Sequence, residues 1–576
     1  MELKVDNAKW SFKNSLLEPS VINSFSKSCK IDYVFATVLL NRGIDNADSL
    51  AKYIKKPLSA VNNPMLLPDI QNAADRIIKA ISEKERIVIY GDYDVDGITA
   101  TALLYKFLKE VGADVGYYIP DRLSDGYGMN IMSINKLAKQ GTKLLITVDC
   151  GISSIGETEL AKALKTDVII TDHHTCRERL PDAYAVVNPK RLDSEYPFCE
   201  LAGVGVSFKL VLALAMKMGL NTKEYFDKYV SLAAIGTVSD VVSLTGENRI
   251  IVDRGLEKLA QNSNTGIKML LKVCGAQNRP INSQTVAFVI APRINAAGRI
   301  KNAELALKLL LSDNEEEAYS NACLLDEINR ERQSTEAMIY KEALEMLSSD
   351  EKYKNKRVIV LAKEGWHQGV IGIVASKICE RFYKPCILIS SDGTVGKGSC
   401  RSVGGINIFS ALLECEDELT GFGGHALAAG LSLNMQDLDA FDLHINKYVS
   451  ENIKNEPVKT IDIDCSVTPD FITLQNIRAI GRLEPFGADN EKPVFALCGV
   501  RILSTDTMGA DNKHLKMKIE AGQNIFEAVG FSMGHIAKFL PSGEIIDLAF
   551  TPEINSYQDT QRIQLFIKDI RFARKG

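Results

Sequence analysis

No apolar run in this sequence approaches the ~18 residues that a membrane span requires, and Met1-Glu2-Leu3-Lys4-Val5 has no secretory hydrophobic core. The 12 cysteines are scattered and never spaced C-x-x-C, so neither a zinc motif nor a disulfide framework is indicated. Together these absences predict a reducing, cytoplasmic setting. There is no basic surplus either: 68 Lys and Arg against 73 Asp and Glu leave a net charge of −5. That excludes a broad cationic coat for duplex DNA, but not a local basic channel for a polyanion. No internal repeat or low-complexity segment interrupts the chain. Its 576 residues exceed one hydrophobic core, so three or four domains are expected.

What is present is acid in an unusual place. Tyr90-Gly91-Asp92-Tyr93-Asp94-Val95-Asp96-Gly97 follows the apolar run Ile87-Val88-Ile89 and precedes a helical pattern from Ile98 to Glu110. Three carboxylates therefore crowd a strand-to-helix turn. They are either a solvated acidic turn or the seat of a hard cation such as Mg or Mn, which would relieve their repulsion. Similar runs end in Asp149 and in Asp172-His173-His174, and a segment of strand or helix character, Ser231 to Val238, precedes Asp240. Ligands of open parallel sheets bind beyond the carboxyl ends of strands, so this recurrence favours the cation.

Periodicity divides the chain further. Residues 1–70 read as a helical cap on the domain that follows. Residues 71–313 alternate strand and helix from Glu85, as a doubly wound parallel sheet does. Within them Leu201-Ala202-Gly203-Val204-Gly205 could cradle a phosphate, although close helix–sheet packing is the preferred reading. A long helix opens at Asn314 and makes 314–355 a linker. Residues 356–455 return to an α/β pattern. Residues 456–576 carry short strands at Thr460 to Cys465, Val494 to Leu497, His514 to Ile519, Ile545 to Phe550 and Ile563 to Ile567, which suggest a small OB-type barrel. No further domain is expected after it. Phe486, Phe526 and Phe531 could stack on bases there, but each alone is more readily core.

The motifs Asp92 to Gly97, Val148-Asp149-Cys150-Gly151, Asp172-His173-His174, Val238-Ser239-Asp240, Pro292 to Arg299 and Gly423-Gly424-His425-Ala426-Leu427-Ala428-Ala429-Gly430 occur in one order. Jointly they resemble the DHH/DHHA1 phosphoesterases and, within them, the RecJ-type family of single-strand-specific exonucleases. The resemblance implies a multidomain α/β fold: a DHH parallel-sheet domain, a linker helix, a DHHA1 α/β domain and an OB-fold barrel. It implies two Mn2+ or Mg2+ ions about 3.5–4 Å apart, clamping the attacking and leaving oxygens of an in-line displacement. Asp94 would bind one ion, Asp96 the other, and Asp149 would bridge; His173 and Asp240 would complete the coordination of the second ion. Asp92 stands where several relatives have histidine, and is a further ligand candidate. His174 would touch substrate phosphate.

By the same resemblance Arg122, near Asp125-Gly126-Tyr127-Gly128, would clamp a phosphate rather than serve as an ordinary loop residue. Arg293 or Arg299 would face the scissile phosphate. Ser399, Arg401, Ser402, Gly423, Gly424 and His425 would receive a terminal phosphate; His367 is as readily a structural hydrogen-bonding residue. The implied activity is 5′→3′ hydrolysis of single-stranded DNA to 5′-mononucleotides in repair and recombination, by a bacterial cytoplasmic monomer. Single-strand-binding protein and a RecQ-type helicase would be its partners. A DHH phosphodiesterase for short RNA, cyclic dinucleotides or pyrophosphate, and a non-catalytic single-strand-binding scaffold, are the competing readings.

Overall fold

Strands that shun water along their whole length need cover on both faces. In a computed structural model, which describes residues 8–122, 126, 128–262, 264–453, 457–557 and 560–572, five strands lie side by side, three of them buried along their whole length. β1 (Ile87–Tyr90) leads into α1 (Val95–Glu110), followed by β2 (Val115–Tyr118), β3 (Leu144–Val148), β4 (Asp167–Thr171) and β5 (Ala185–Val187). All pairings are parallel, in the order β2-β1-β3-β4-β5. Alternate residues serve opposite faces. Ile87 and Ile89 join one core with α1, α2 (Gly203–Lys217) and α3 (Thr222–Ser239), while Val88 and Tyr90 join another beneath the far face. The chain steps outward from β1 to β2, then returns across β1 to β3. The connections leaving β1 and β3 therefore diverge and open a crevice at the carboxyl edge.

The chain divides into two compact units. One comprises Lys56–Met338 and Pro485–Asn490; the other holds the rest of the described residues. In the first unit, α4 (Ala291–Ile300) precedes the 35-residue α5 (Glu315–Ser349), along which the division falls. Asn314 Oδ1 accepts the Glu316 and Glu317 N–H groups at the start of α5, and Ala318, Ala322 and Leu325 bury one stripe against the core.

The second unit contains a mixed five-stranded sheet. Its elements are β6 (Ile359–Glu364), α6 (Gln368–Phe382), β7 (Cys386–Ser391), β8 (Val395–Arg401), α7 (Ile408–Glu414), β9 (Gly421–Gly424), β10 (Ala428–Asn434) and α8 (Leu438–Asn452). The strand order is β9-β10-β8-β7-β6. Beyond it, β11 (Phe495–Met508), β12 (His514–Ala521), β13 (Asn524–Gly530), β14 (Ile545–Tyr557) and β15 (Thr560–Phe572) close into a barrel, because β11 pairs with both β12 and β14. The fold is thus the expected α/β multidomain arrangement with a carboxyl-terminal barrel. Among the described residues no helix is long and apolar enough to cross a membrane.

Two expectations are corrected. The cap proposed over residues 1–70 divides: Lys56 onward groups with the parallel sheet, whereas residues 8–55 group with the second unit. There Lys9–Phe12 pairs in parallel with Thr460–Ile463, Trp10 Nε1 donates to Asp569 (2.7 Å), and Asn41 Nδ2 donates to the Asp464 carbonyl (3.1 Å). A strand partner so distant in the chain leaves no local pattern. Consequently Thr460–Ile463, expected in the barrel, lies in that two-stranded sheet instead. The fifth barrel strand is β13, whose Ala528 and Gly530 give little strand signal.

Candidate metal centre

β1 ends at Tyr90, and the three acids that follow have different surroundings. Asp92 is buried, and its Oδ1 makes no hydrogen bond. Asp94 caps α1, accepting the Gly97 N–H (3.1 Å). Asp96 lies in the first turn of the helix rather than on the turn before it, because α1 begins at Val95. Both its oxygens are held by the amino end of α2: Gly203 N–H donates to Oδ2 (2.7 Å) and Val204 N–H to Oδ1 (2.8 Å). The positive end of a helix suits a carboxylate.

Asp149 follows β3 with φ +61°, a conformation uncommon for a non-glycine residue. His173 follows β4, and its Nε2 lies 3.2 Å from Asp149 Oδ1, 3.6 Å from Asp240 Oδ2 and 4.0 Å from Asp96 Oδ2. Asp240, whose preceding segment could be read as strand or helix, caps the carboxyl end of α3. The next residue, Val241, is β-branched with φ +61°, a costly backbone state of the kind that collects at functional sites.

These donors form two adjoining triplets, Asp92–Asp94–Asp149 and Asp96–His173–Asp240, overlapped by a third, Asp149–His173–His174; within each, ligand atoms lie within 4.8 Å of one another. Burial, then the charge of Asp94, pushes Asp92 up to about 8 and Asp240 to about 7. Burial and neighbouring acids hold Asp96 and Asp149 well above the usual carboxylate range. Burial, then His174, lowers His173 to about 3, leaving a neutral imidazole whose Nε2 makes no hydrogen bond. Carboxyl groups so strained by burial, with an orphaned oxygen and an orphaned imidazole nitrogen, suit hard divalent cations, which reverse the sign of the electrostatics. The donor set therefore fits two such ions.

Asp172 has another task. Burial pushes its carboxyl up, but bonds from the His174 ring (Nδ1 to Oδ1, 2.7 Å), the His174 N–H and the Ile152 N–H leave it below its usual range. Burial pulls His174 down, yet Asp172 outweighs it and raises the imidazole. The pair fixes the ring and retains its proton.

The predicted phosphate ligands separate by surroundings. Arg122 lies over the Tyr93 ring (5.1 Å to its centre) and acts electrostatically on Asp92. Asp125 and Tyr127 lie outside the described residues. Arg299 also acts on Tyr93, whose phenol is pushed up to about 12 by burial and then Asp92. Arg293 instead binds Asp326 (2.8 Å) and the Val289 carbonyl (2.8 Å). Both arginines are on helix α4, not on a surface loop.

In the other unit Ser399, Gly430 and Gly423 lie in register across β8, β10 and β9. Arg401 donates to Ser399 Oγ (3.1 Å), and Ser402 Oγ donates to the Ile406 carbonyl (2.8 Å). Gly424 has φ +142°, and a Cβ there would meet the Ala428 carbonyl oxygen at 2.5 Å. His425 N–H closes the turn onto Ala428 (2.8 Å). His367 caps α6, accepting the Gly369 N–H, a structural role. In the barrel Phe526 is core, whereas exposed Phe531 stacks on Phe566. Phe486 belongs to the Pro485–Asn490 segment, which the Leu244 N–H joins through the Ala488 carbonyl (2.8 Å).

Family models match along the chain in the same order: DHH family, N-terminal domain at 86–237, DHHA1 domain at 355–451 and RecJ OB domain at 463–569. The single-stranded-DNA-specific exonuclease RecJ of Bacillus subtilis is 39% identical over 553 residues, covering 95% of this chain and 69% of that protein. The chain belongs to the RecJ family. The RecJ of Salmonella typhimurium is 34% identical, covering 92% of this chain and 94% of its own. Thermus thermophilus RecJ, solved in complex with Mn2+, superposes with a TM-score of 0.84 at 30% identity, covering 98% of this chain and 80% of that one. The same RecJ with Mg2+ gives 0.79 at 29% identity, covering 98% and 79%.

Some contributors escaped the sequence reading. Gly203 and Val204, read as packing residues, do pack: a Cβ on Gly203 would meet Asp149 Oδ1 at 2.4 Å. They also grip Asp96. Gly236 is equally tight, against Thr99 Oγ1 (2.4 Å) and Asp96 Oδ1 (2.8 Å). The Ala-Gly-Val-Gly string at a helix start was the available signal.

Proposed function

We propose that this chain is a metal-dependent exonuclease specific for single-stranded DNA, acting 5′→3′ and releasing 5′-mononucleotides. The observation that carries it is the pair of adjoining donor triplets at the carboxyl edge of the parallel sheet, in a chain aligned with RecJ relatives over nearly its full length. Asp92, Asp94 and Asp149 would hold one Mn2+ or Mg2+, and Asp96, His173 and Asp240 the other, with Asp149 shared. When bound, such ions supply Lewis-acid charge that activates water and offsets charge developing on the phosphate.

The chain's own groups do the remaining work. The amides of Gly203 and Val204 keep Asp96 oriented. Asp172 keeps a proton on His174 Nδ1, so the imidazole offers positive charge to a phosphate oxygen. Arg299, on the evidence of its nearness to Tyr93, is the arginine assigned to the scissile phosphate, with Arg122 as a second clamp. Arg293, engaged by Asp326, is a framework residue. In the second unit Ser399, Arg401, Gly423, Gly424 and His425 supply donors for a terminal phosphate. Ser402, whose hydroxyl donates to the Ile406 carbonyl and whose N–H donates to the Leu427 carbonyl (2.9 Å), is a framework residue of that site. A cytoplasmic monomer working in repair and recombination with single-strand-binding protein and a RecQ-type helicase completes the reading.

The test is a Mn2+-dependent nuclease assay on single strands blocked at one end or the other, with Asp149→Ala as control. Mononucleotides from strands with a free 5′ end, and none from the variant, are expected. Equal turnover by both proteins refutes the active-site assignment. Cleavage restricted to dinucleotides or pyrophosphate refutes the substrate.

A further inference from the structure

The absence of any C-x-x-C pair argues against a zinc motif read along the chain, but donors distant in sequence can still meet. Cys415 caps the carboxyl end of α7, a short turn follows through Glu416–Glu418, and His444 lies on α8. The donor atoms of Cys415, Glu418 and His444 all lie within 4.8 Å of one another. His444 Nδ1 is 3.0 Å from Glu418 Oε1. Glu418 Oε2 is buried and makes no hydrogen bond. The Cys415 side chain is wholly buried and its thiol faces these two groups rather than an apolar wall alone. His444 keeps 41% of its side chain exposed, so the cluster opens to solvent on one side.

We infer that Cys415, Glu418 and His444 form a second cation site of a different chemical class, a zinc-type site with three protein ligands and one position left for solvent. One sulfur, one imidazole and one carboxylate suit Zn2+, whereas the oxygen-rich centre suits Mn2+ or Mg2+. Ligands about 2.0–2.3 Å from a tetrahedral ion are separated by about 3.3–3.8 Å. The donors stand near that spacing, all within 4.8 Å of one another and with His444 Nδ1 and Glu418 Oε1 at 3.0 Å. A bound ion would tie the turn after α7 to α8. β9 starts at Gly421, and Thr420 N–H donates to the Ser432 carbonyl (2.8 Å), so the tie sits at the base of the hairpin bearing Gly423, Gly424 and His425.

The full-length chain is dialysed against a chelator; one portion is titrated with Co2+ as a spectroscopic substitute for Zn2+, and another is loaded with Zn2+, desalted and assayed for retained zinc. The expected result is a thiolate-to-cobalt charge-transfer band saturating at one equivalent, and one zinc retained per chain. Cys415→Ser abolishes the band; His444→Gln, altering a half-exposed side chain, abolishes zinc retention while its circular dichroism stays that of the parent. Asp149→Ala keeps both signals, which separates this site from the proposed nuclease centre. No charge-transfer band in the parent chain, a band that survives Cys415→Ser, or zinc lost with Asp149→Ala but not with His444→Gln would each overturn the assignment.

Discussion

The two units present donors in opposite ways. At the edge of the parallel sheet five carboxyl groups and a neutral imidazole converge in a largely buried cluster, with strained backbone at Asp149 and Val241 and orphaned atoms on Asp92 and His173. Along β8, β10 and β9 the donors are mostly neutral, partly exposed and already bonded to their own hairpin. The first arrangement is unfavourable until cations arrive; the second is stable as it stands and can receive an anion without large rearrangement. On the function proposed above, chemistry belongs with the first and recognition with the second.

Asp149→Ala cuts this contrast most deeply. It removes the donor common to both cations, and turnover should fall by about 10³-fold or more, with loss of the thermal shift produced by Mn2+. Gly203→Ala and Gly236→Ala test the packing around Asp96 without deleting a ligand. Their added methyl groups collide with Asp149 or Asp96, and the Mn2+ requirement should rise about 10–100-fold in a metal titration of activity. Arg299→Ala should lower kcat by about 100-fold with little change in Tm. Arg293→Ala should chiefly lower stability, by about 1–3 kcal/mol on denaturant titration.

Proton linkage provides another separation. Asp92 and Asp240 titrate near 8 and 7 in the folded chain and near 3.8 when unfolded, so the folded state carries extra protons between those limits. Their contribution to stability is complete below about pH 4 and is lost as pH rises through 7 to 8. His173, lowered to about 3, acts in the reverse sense, but only below its unfolded value of 6.5. Melting curves in chelator should therefore fall from pH 6.5 to 8, and added Mn2+ should remove that decline. The smallest effect is expected at the recognition hairpin: Ser399→Ala should raise KM for 5′-phosphorylated strands by about 10-fold while leaving kcat nearly unchanged.

Much of the centre is legible because strand-to-turn chemistry is local. The runs before Asp92, Asp149 and Asp172 are apolar on both faces, which marks buried parallel strands and locates their carboxyl ends. Asp240 was harder, since Leu232-Ala233-Ala234-Ile235-Gly236 suits either state. Helix prevails because the small residues let α3 pack closely: a Cβ on Gly236 would touch Val204 on α2 at 2.6 Å and Thr99 on α1 at 2.4 Å. The choice between Arg293 and Arg299 depended on Asp326, a partner on another helix. The amide grip on Asp96 had no side-chain signature at all, because backbone N–H groups are common to nearly every residue.

The residues alone specified the donors' chemistry, the periodicity of each element and the order of domains, all of which act over a few neighbouring positions. Assembly of the donors into two adjoining triplets, the pairing of Lys9–Phe12 with Thr460–Ile463 and the meeting of Cys415 with His444 were decided by folding. Each joins groups far apart in the chain, and such contacts form only when burial and strand pairing repay the loss of chain entropy.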